Sequence, residues 1–283
     1  MSAPSNQERD RLNAALIILT CFSTTVLSSF CVSGPSIALP AIGHDLGLSQ
    51  TGLQWICNAF ALSSGCFLLL FGRLADIHGR KLTFLLGTAM TGIFSLACGF
   101  ARTKLQIIIF RALQGMGGAA SVPAALGILA QTFPPSSRRS IAFAVFSAGN
   151  PFGSGLGYIL GAVAGQYSPI RWRAIFFIAS GMAAFSFISA LLVFKSDRPG
   201  KDIDRRVDWL GATFITMGLA SILFVLGQGG MPVKGLDSGY YLAKRPACRP
   251  PLMRLDLWSR ANGKFAAMQG IAFLEWLALK YIR

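Results

Sequence analysis

The residues able to do polar chemistry in this sequence are few, and they fall into three groups. The first is Gly72 to Lys81, reading Gly-Arg-Leu-Ala-Asp-Ile-His-Gly-Arg-Lys, where Arg73, Asp76, Arg80 and Lys81 place four charges in ten residues between two apolar runs. The second is Arg111, a single charge well inside an apolar run, with Gln114 three residues on along the same helical face and Gly115 following. An arginine at the centre of a membrane helix costs about 2.5 to 3.5 kcal/mol on insertion scales, so it either snorkels toward the nearby helix end or points into a polar cavity. Gly117, Gly118, Ala119 and Ala120 follow, small enough for neighbouring helices to close around such a cavity. The third group is Gly149, Gly153, Gly157, Gly161 and Gly165, one glycine every fourth residue, with Pro151 and Gly155 among them. On a helix this makes a groove without side chains, which reads either as a static packing seam or as a bending, gating helix.

Catalysis finds little support. His44 and His78 fall in connections, and no carboxylate pair is buried in the apolar runs, so the chain does not read as an enzyme. Gly115 to Ala120 superficially resembles a dinucleotide-binding turn but lies within one apolar run, without strand, turn and helix around it. Five of the six cysteines (Cys21, Cys31, Cys57, Cys66, Cys98) lie in or beside apolar runs without metal-ligand spacing, and read as small packing residues. Neither a metal nor a cofactor is expected.

The elements that must position these groups follow from composition. With 53% hydrophobic residues, 13% charged residues, 31 glycines and a mean hydropathy of +0.55, the chain reads as an all-α, polytopic membrane protein in contact with the lipid bilayer. Leu53–Phe71 and Leu82–Phe100 carry no charge. Nineteen residues at a rise of about 1.5 Å span roughly 28 Å, close to the hydrocarbon thickness of a bilayer, so Gly72 to Lys81 reads as a tight turn at a membrane face. Further spans are expected at Asn13–Val32, Leu105–Phe133, Ile141–Ala164 and Trp172–Phe194. The first of these ends before Gly34-Pro35.

The domain reading is a tail over 1–12, a six-helix bundle over 13–194, a linker over 195–207 and a seventh span over 208–228. An irregular tail over 229–283 has a possible short helix at 264–282, which fits a short span, an interfacial helix or the front of a longer one. The net charge of +15 raises the question of nucleic acid, but the basic residues sit in short connections rather than on one face interleaved with aromatics, so no nucleic-acid partner is expected. Twelve Lys and Arg residues fall on the N-terminal side of the spans and four on the other, which places the N-terminus and Gly72 to Lys81 in the cytoplasm.

At these residues the chain resembles the major facilitator superfamily, and within it the fourteen-span drug:proton antiporter branch found in fungi. Gly72 to Lys81 is similar to the family's connection between spans two and three, and Arg111-Ala-Leu-Gln-Gly-Met-Gly to its fourth-span motif. Gly149 to Gly165 is similar to the antiporter motif of span five, and Ala38-Leu-Pro-Ala-Ile follows span one as in this branch. The resemblance implies an alternating-access carrier for small amphipathic organic compounds and protons, in the plasma membrane. In it Asp76 helps latch the cytoplasmic side, Arg111 is linked to proton coupling, and the fifth-span glycines with Pro151 bias direction toward export.

Three departures stand out. Ile77 follows Asp76 where a basic residue is frequent in the family. Aligning on Ala38-Leu39-Pro40 puts Cys31 where relatives commonly carry an aspartate. The tail from Arg249 looks like the connection entering a ninth span, so the chain reads as an N-terminal bundle with a seventh span and an incomplete second half. A seven-span receptor is the alternative from another class, though its N-terminus would lie outside, against the charge count; a non-transporting membrane fragment is a third.

Overall fold

The apolar runs fold as helices because a bilayer offers no hydrogen-bond partner to the backbone, so each segment must satisfy its own. The computed structural model describes residues 6–48, 50–168, 170–194, 216–219 and 221, and among them every regular element is helical. These are α1 (Asn6–Leu46), α2 (Gln50–His78), α3 (Arg80–Gly99), α4 (Lys104–Thr132), α5 (Ser137–Tyr167) and α6 (Arg173–Val193). Residues 216–219 are also helical, and Thr216 Oγ1 donates to the Cys66 carbonyl at 3.4 Å. The rest of the expected seventh span, the linker and the tail helix at 264–282 lie outside the described residues.

Two sequence expectations need correction. Gly72 to Lys81 is not a loop: α2 runs on to His78, α3 begins at Arg80, and Gly79 alone is non-helical. Its φ of 101° lies where a side chain is strained, so glycine lets one residue serve as the turn. The first span does not stop at Val32 either. Helix α1 continues through Pro35 and Pro40 to Leu46 and ends at Gly47, whose φ of 60° lets Leu48 N–H close back on the Gly43 carbonyl at 2.9 Å. Each proline removes one backbone donor and leaves the carbonyl four residues earlier without its helical partner. A helix survives this where neighbouring elements provide another donor.

Helix α1 packs along α5; α4 packs against both α2 and α3; and α3 also packs against α6. The buried surface is small and hydroxyl-rich, including Thr20, Thr24, Thr25, Ser29, Ser33, Thr88, Thr91, Ser95, Ser121 and Ser186. Many of these hydroxyls donate to their own helix, as Thr88 Oγ1 does to Phe84 O at 2.9 Å and Ser33 Oγ to Ser29 O at 2.9 Å. Large apolar side chains face outward instead, among them Leu86, Ile93, Phe185 and Leu192. That distribution suits a lipid exterior, where Leu gains nothing by turning inward. Among the described residues five of the helices are long and apolar enough to cross a membrane; α5, which carries glycines, Asn150 and Pro151, is not among those five.

Candidate functional site

Arg73 and Asp76 lie in the last two turns of α2, Arg80 and Lys81 in the first turn of α3. A cation at a helix N-terminus opposes the helix dipole, so Arg80 needs compensation. It donates to Asp76 Oδ1 from Nη2 at 3.0 Å and from Nε at 3.3 Å, and its Nη1 donates to the Gly127 carbonyl of α4 at 2.6 Å. Gly127 makes room for this: a β-carbon there would fall 2.5 Å from Arg80 Cδ and 2.6 Å from Nε. Lys81 Nζ donates to Leu191 O at 3.4 Å and to Phe194 O, covering carbonyls that the end of α6 leaves without helical donors. The motif therefore ties α2, α3, α4 and the end of α6 together at one end of the bundle. The Asp76 and Arg80 side chains are 44% and 22% exposed, so as an ion pair they contribute only a few tenths of a kcal/mol. Gly72, by contrast, is not demanded by packing, since a β-carbon there would touch only Pro123 at 3.9 Å.

Arg111 is completely buried and points inward, not toward the helix end. Nε donates to Ile56 O of α2 at 3.0 Å, and Nη1 donates to Cys31 O of α1 at 2.8 Å and to Gln114 Oε1 at 2.7 Å. The guanidinium lies 4.6 Å from the centre of the Phe60 ring, and the Gln114 amide donates to Ser95 Oγ at 2.6 Å and to Cys31 Sγ at 3.4 Å. A buried charge is tolerable only when hydrogen-bonded; here main-chain carbonyls, an amide and an aromatic face share the task. Among the described residues Arg111 is the one buried charge, while Asp45 and Asp76 stand at helix ends. Gly115 does not open toward this centre. A β-carbon on it would collide with Phe60 O and Ser63 Oγ, so it is a contact point between α4 and α2. Gly117 does the same toward α3, meeting Gly87 O at 2.7 Å and Thr91 Oγ1 at 2.5 Å.

The α5 glycines form a seam with α1. A β-carbon at Gly149 would meet Thr25 Oγ1 and Phe22 O (3.1 Å); at Gly153, Val26 O and Val26 Cα (2.8 Å); at Gly157, Ser33 Oγ and Gly34 N (3.0 Å); and at Gly161, Gly34 O (3.1 Å). Gly165 has nothing within 4 Å and is not part of the seam, a correction to the five-glycine groove. Pro151 is exposed on the same helix. Thr25 Oγ1 donates to Phe146 O at 2.9 Å and Ser29 to Asn150 Oδ1, so hydroxyls lock the seam that the glycines open.

Sequence reasoning missed the tie at the opposite end of the bundle. Trp172, fully buried, donates from Nε1 to Asp45 Oδ2 at 2.9 Å, and Arg171 Nη1 pairs with Asp45 Oδ1 at 3.3 Å. Arg173 Nη1 donates to Gly99 O at 2.9 Å with its guanidinium 4.8 Å over the Trp172 ring. The signal was the cluster Arg171-Trp172-Arg173 at the start of a span, whose partners lie far off in sequence.

A bundle of long apolar helices with a buried arginine on the fourth and a glycine seam on the fifth defines an integral, multi-pass membrane protein of the transporter type. The chain belongs to the Major Facilitator Superfamily, whose family description matches residues 21–228. It is 33% identical over 203 residues to the uncharacterized MFS-type transporter EfpA of Mycobacterium tuberculosis, covering 72% of this chain and 37% of that one. It is 32% identical over 213 residues to the puromycin resistance protein of Streptomyces alboniger, covering 75% of this chain and 41% of that protein. The chain thus spans about two fifths of the length of these relatives. Among solved structures, the peptide transporter POT superposes with a TM-score of 0.58 at 17% identity over 80% of this chain and 48% of that one, a likeness of fold alone.

Proposed function

We propose that this chain forms one bundle of a proton-coupled exporter of small amphipathic organic compounds, with its N-terminus in the cytoplasm of a plasma-membrane transporter. The observation that carries the reading is the Asp76–Arg80–Gly127 tie at the end of α2. It joins two helices and a third through one partly exposed carboxylate, so that Asp76 keeps acceptor capacity for a group from outside the bundle. In alternating access such a tie forms when that face closes and releases when it opens. Export of organic compounds is supported by family membership and by a relative named for resistance to puromycin. Proton coupling is supported by the fixed charge of Arg111, and a carboxylate to exchange the proton has to come from beyond the described interior. Gly149 to Gly161 with Pro151 would bias the direction of transport by controlling how α5 bends against α1.

The test is efflux of a fluorescent amphiphile from proteoliposomes under an imposed pH gradient. The chain is assayed alone and joined to the C-terminal half of a drug-resistance relative. Gradient-driven efflux by the joined protein, lost on Arg111→Ala with normal insertion, is the expected result. Efflux that ignores the gradient removes the proton, and no efflux from a correctly inserted joined protein removes the reading. Protease access to a tag at Met1 in intact cells checks orientation; cleavage from outside contradicts it.

A further inference from the structure

Pro35 stands inside α1, four residues after Cys31, and has no N–H to give. The carbonyl of buried Cys31 has therefore lost its helical donor, and a buried backbone acceptor needs another partner. Arg111 Nη1 fills that vacancy at 2.8 Å. The other main-chain acceptor of Arg111, the Ile56 carbonyl, lies in a stretch of α2 without proline and keeps Phe60 N–H as its helical donor, so of the two only the Cys31 carbonyl depends on the guanidinium. Gln114 holds the same Nη1 from the α4 side at 2.7 Å and is itself fixed by Ser95. Beside this point α1 packs closely on its neighbours, a β-carbon on Gly34 falling 2.8 Å from Ile175 Cγ2 of α6 and 3.8 Å from Gly157 O of α5.

We propose that Pro35 is the positioning residue for Arg111. By freeing the Cys31 carbonyl it creates a neutral main-chain acceptor that fixes the buried guanidinium between α1, α2 and α4. The dependence runs both ways: Arg111 supplies the donor that the Cys31 carbonyl has lost to Pro35. Arg111 in turn is accepted in α4 with the Cys31 carbonyl of α1 among its acceptors. The two residues form one unit, so their substitutions should compensate. This goes beyond the transport reading and does not require it.

The experiment compares the full chain with Arg111→Met, Pro35→Ala and the double variant in detergent micelles. Thermal unfolding is one readout. The other is the rate of N-ethylmaleimide labelling of Cys31, with Cys21, Cys57, Cys66, Cys98 and Cys248 replaced by alanine. Arg111→Met leaves the freed carbonyl unsatisfied, and is expected to lower Tm by about 5 °C and to speed labelling about tenfold as α1 loosens. Adding Pro35→Ala restores an N–H for the same carbonyl and should recover at least half of both changes. If Arg111→Met does not accumulate in membranes, recovery of accumulation in the double variant supports the proposal and equal absence overturns it. It is also overturned if the double variant is as damaged as the single one, or if Arg111→Met changes neither readout.

Discussion

Replacing Gly153 by alanine tests whether the α1–α5 seam is set by backbone contact. The new β-carbon would meet Val26 O, Val26 Cα at 2.8 Å and Val26 C at 2.9 Å, all main-chain atoms that no rotamer change can move. Ordinary carbon contacts lie near 3.5 to 4.0 Å, so the two helices must separate locally by about 1 Å. Overpacking of this kind costs about 1 to 3 kcal/mol. Between membrane helices it removes close packing itself, the main source of their association. Gly155, two residues away on the same helix, is the matched control. Nothing lies within 4 Å of its β-carbon position, so Gly155→Ala keeps the seam and gains up to about 1 kcal/mol of helix preference. The expected difference between the two variants is therefore about 1 to 4 kcal/mol, read as separate thermal transitions of the purified chain in detergent. Equal Tm values would refute the claim that Gly153 is required by contact with Val26 and would leave the four-residue repeat without a packing reason.

The other tie points make further expectations. Asp76→Asn should lower Tm by no more than a degree or two, since an exposed i,i+4 pair is worth a few tenths of a kcal/mol, yet impair turnover in a transporting version; equal loss of membrane insertion would show a folding role instead. Gly127→Ala should push the Arg80 guanidinium off the α4 carbonyl and impair turnover in a transporting version while destabilising the fold by about 1 kcal/mol; normal turnover would count against that bond. Trp172→Phe keeps an aromatic ring but removes the donor to Asp45, at a cost of about 1.5 to 3 kcal/mol, whereas Asp45→Asn keeps an acceptor for Trp172 and gives up only the exposed contacts with Arg171 and His44. Identical Tm losses for these two variants would mean that the indole bond is not the main tie.

What the sequence disclosed and what it hid divide by the range of the interaction. The spans of α3, α4 and α6 were legible to within two residues, because a charge-free run of bilayer length is a local signal. The family was legible because its motifs are local too. The turn at Gly72 to Lys81 was misread for a physical reason: charges at a membrane face mark where lipid ends, and a helix need not end there. Only the backbone angle at Gly79 marks the true break. The end of α1 was misread at Gly34-Pro35, since a proline removes one helical donor without having to end the helix, and here another donor reaches the freed carbonyl. That donor, Arg111, is 80 residues away from Cys31. Gly127 and Trp172 were missed in the same way, one being a space for an arginine 47 residues earlier, the other a donor to an aspartate 127 residues earlier. In each case the residue's local pattern was ordinary and its function lay in the partner. The glycines of α5 were the intermediate case: their repeat announced a seam, but only the positions of Val26, Ser33 and Gly34 separate Gly153 and Gly157, which touch α1, from Gly155 and Gly165, which do not. Within this bundle several of the polar contacts that cross between helices run to main-chain carbonyls, as contacts of Arg80, Lys81, Arg111 and Arg173 do. A carbonyl carries no residue signature, so such partners are invisible to a motif and are placed only by the packing of one helix against another.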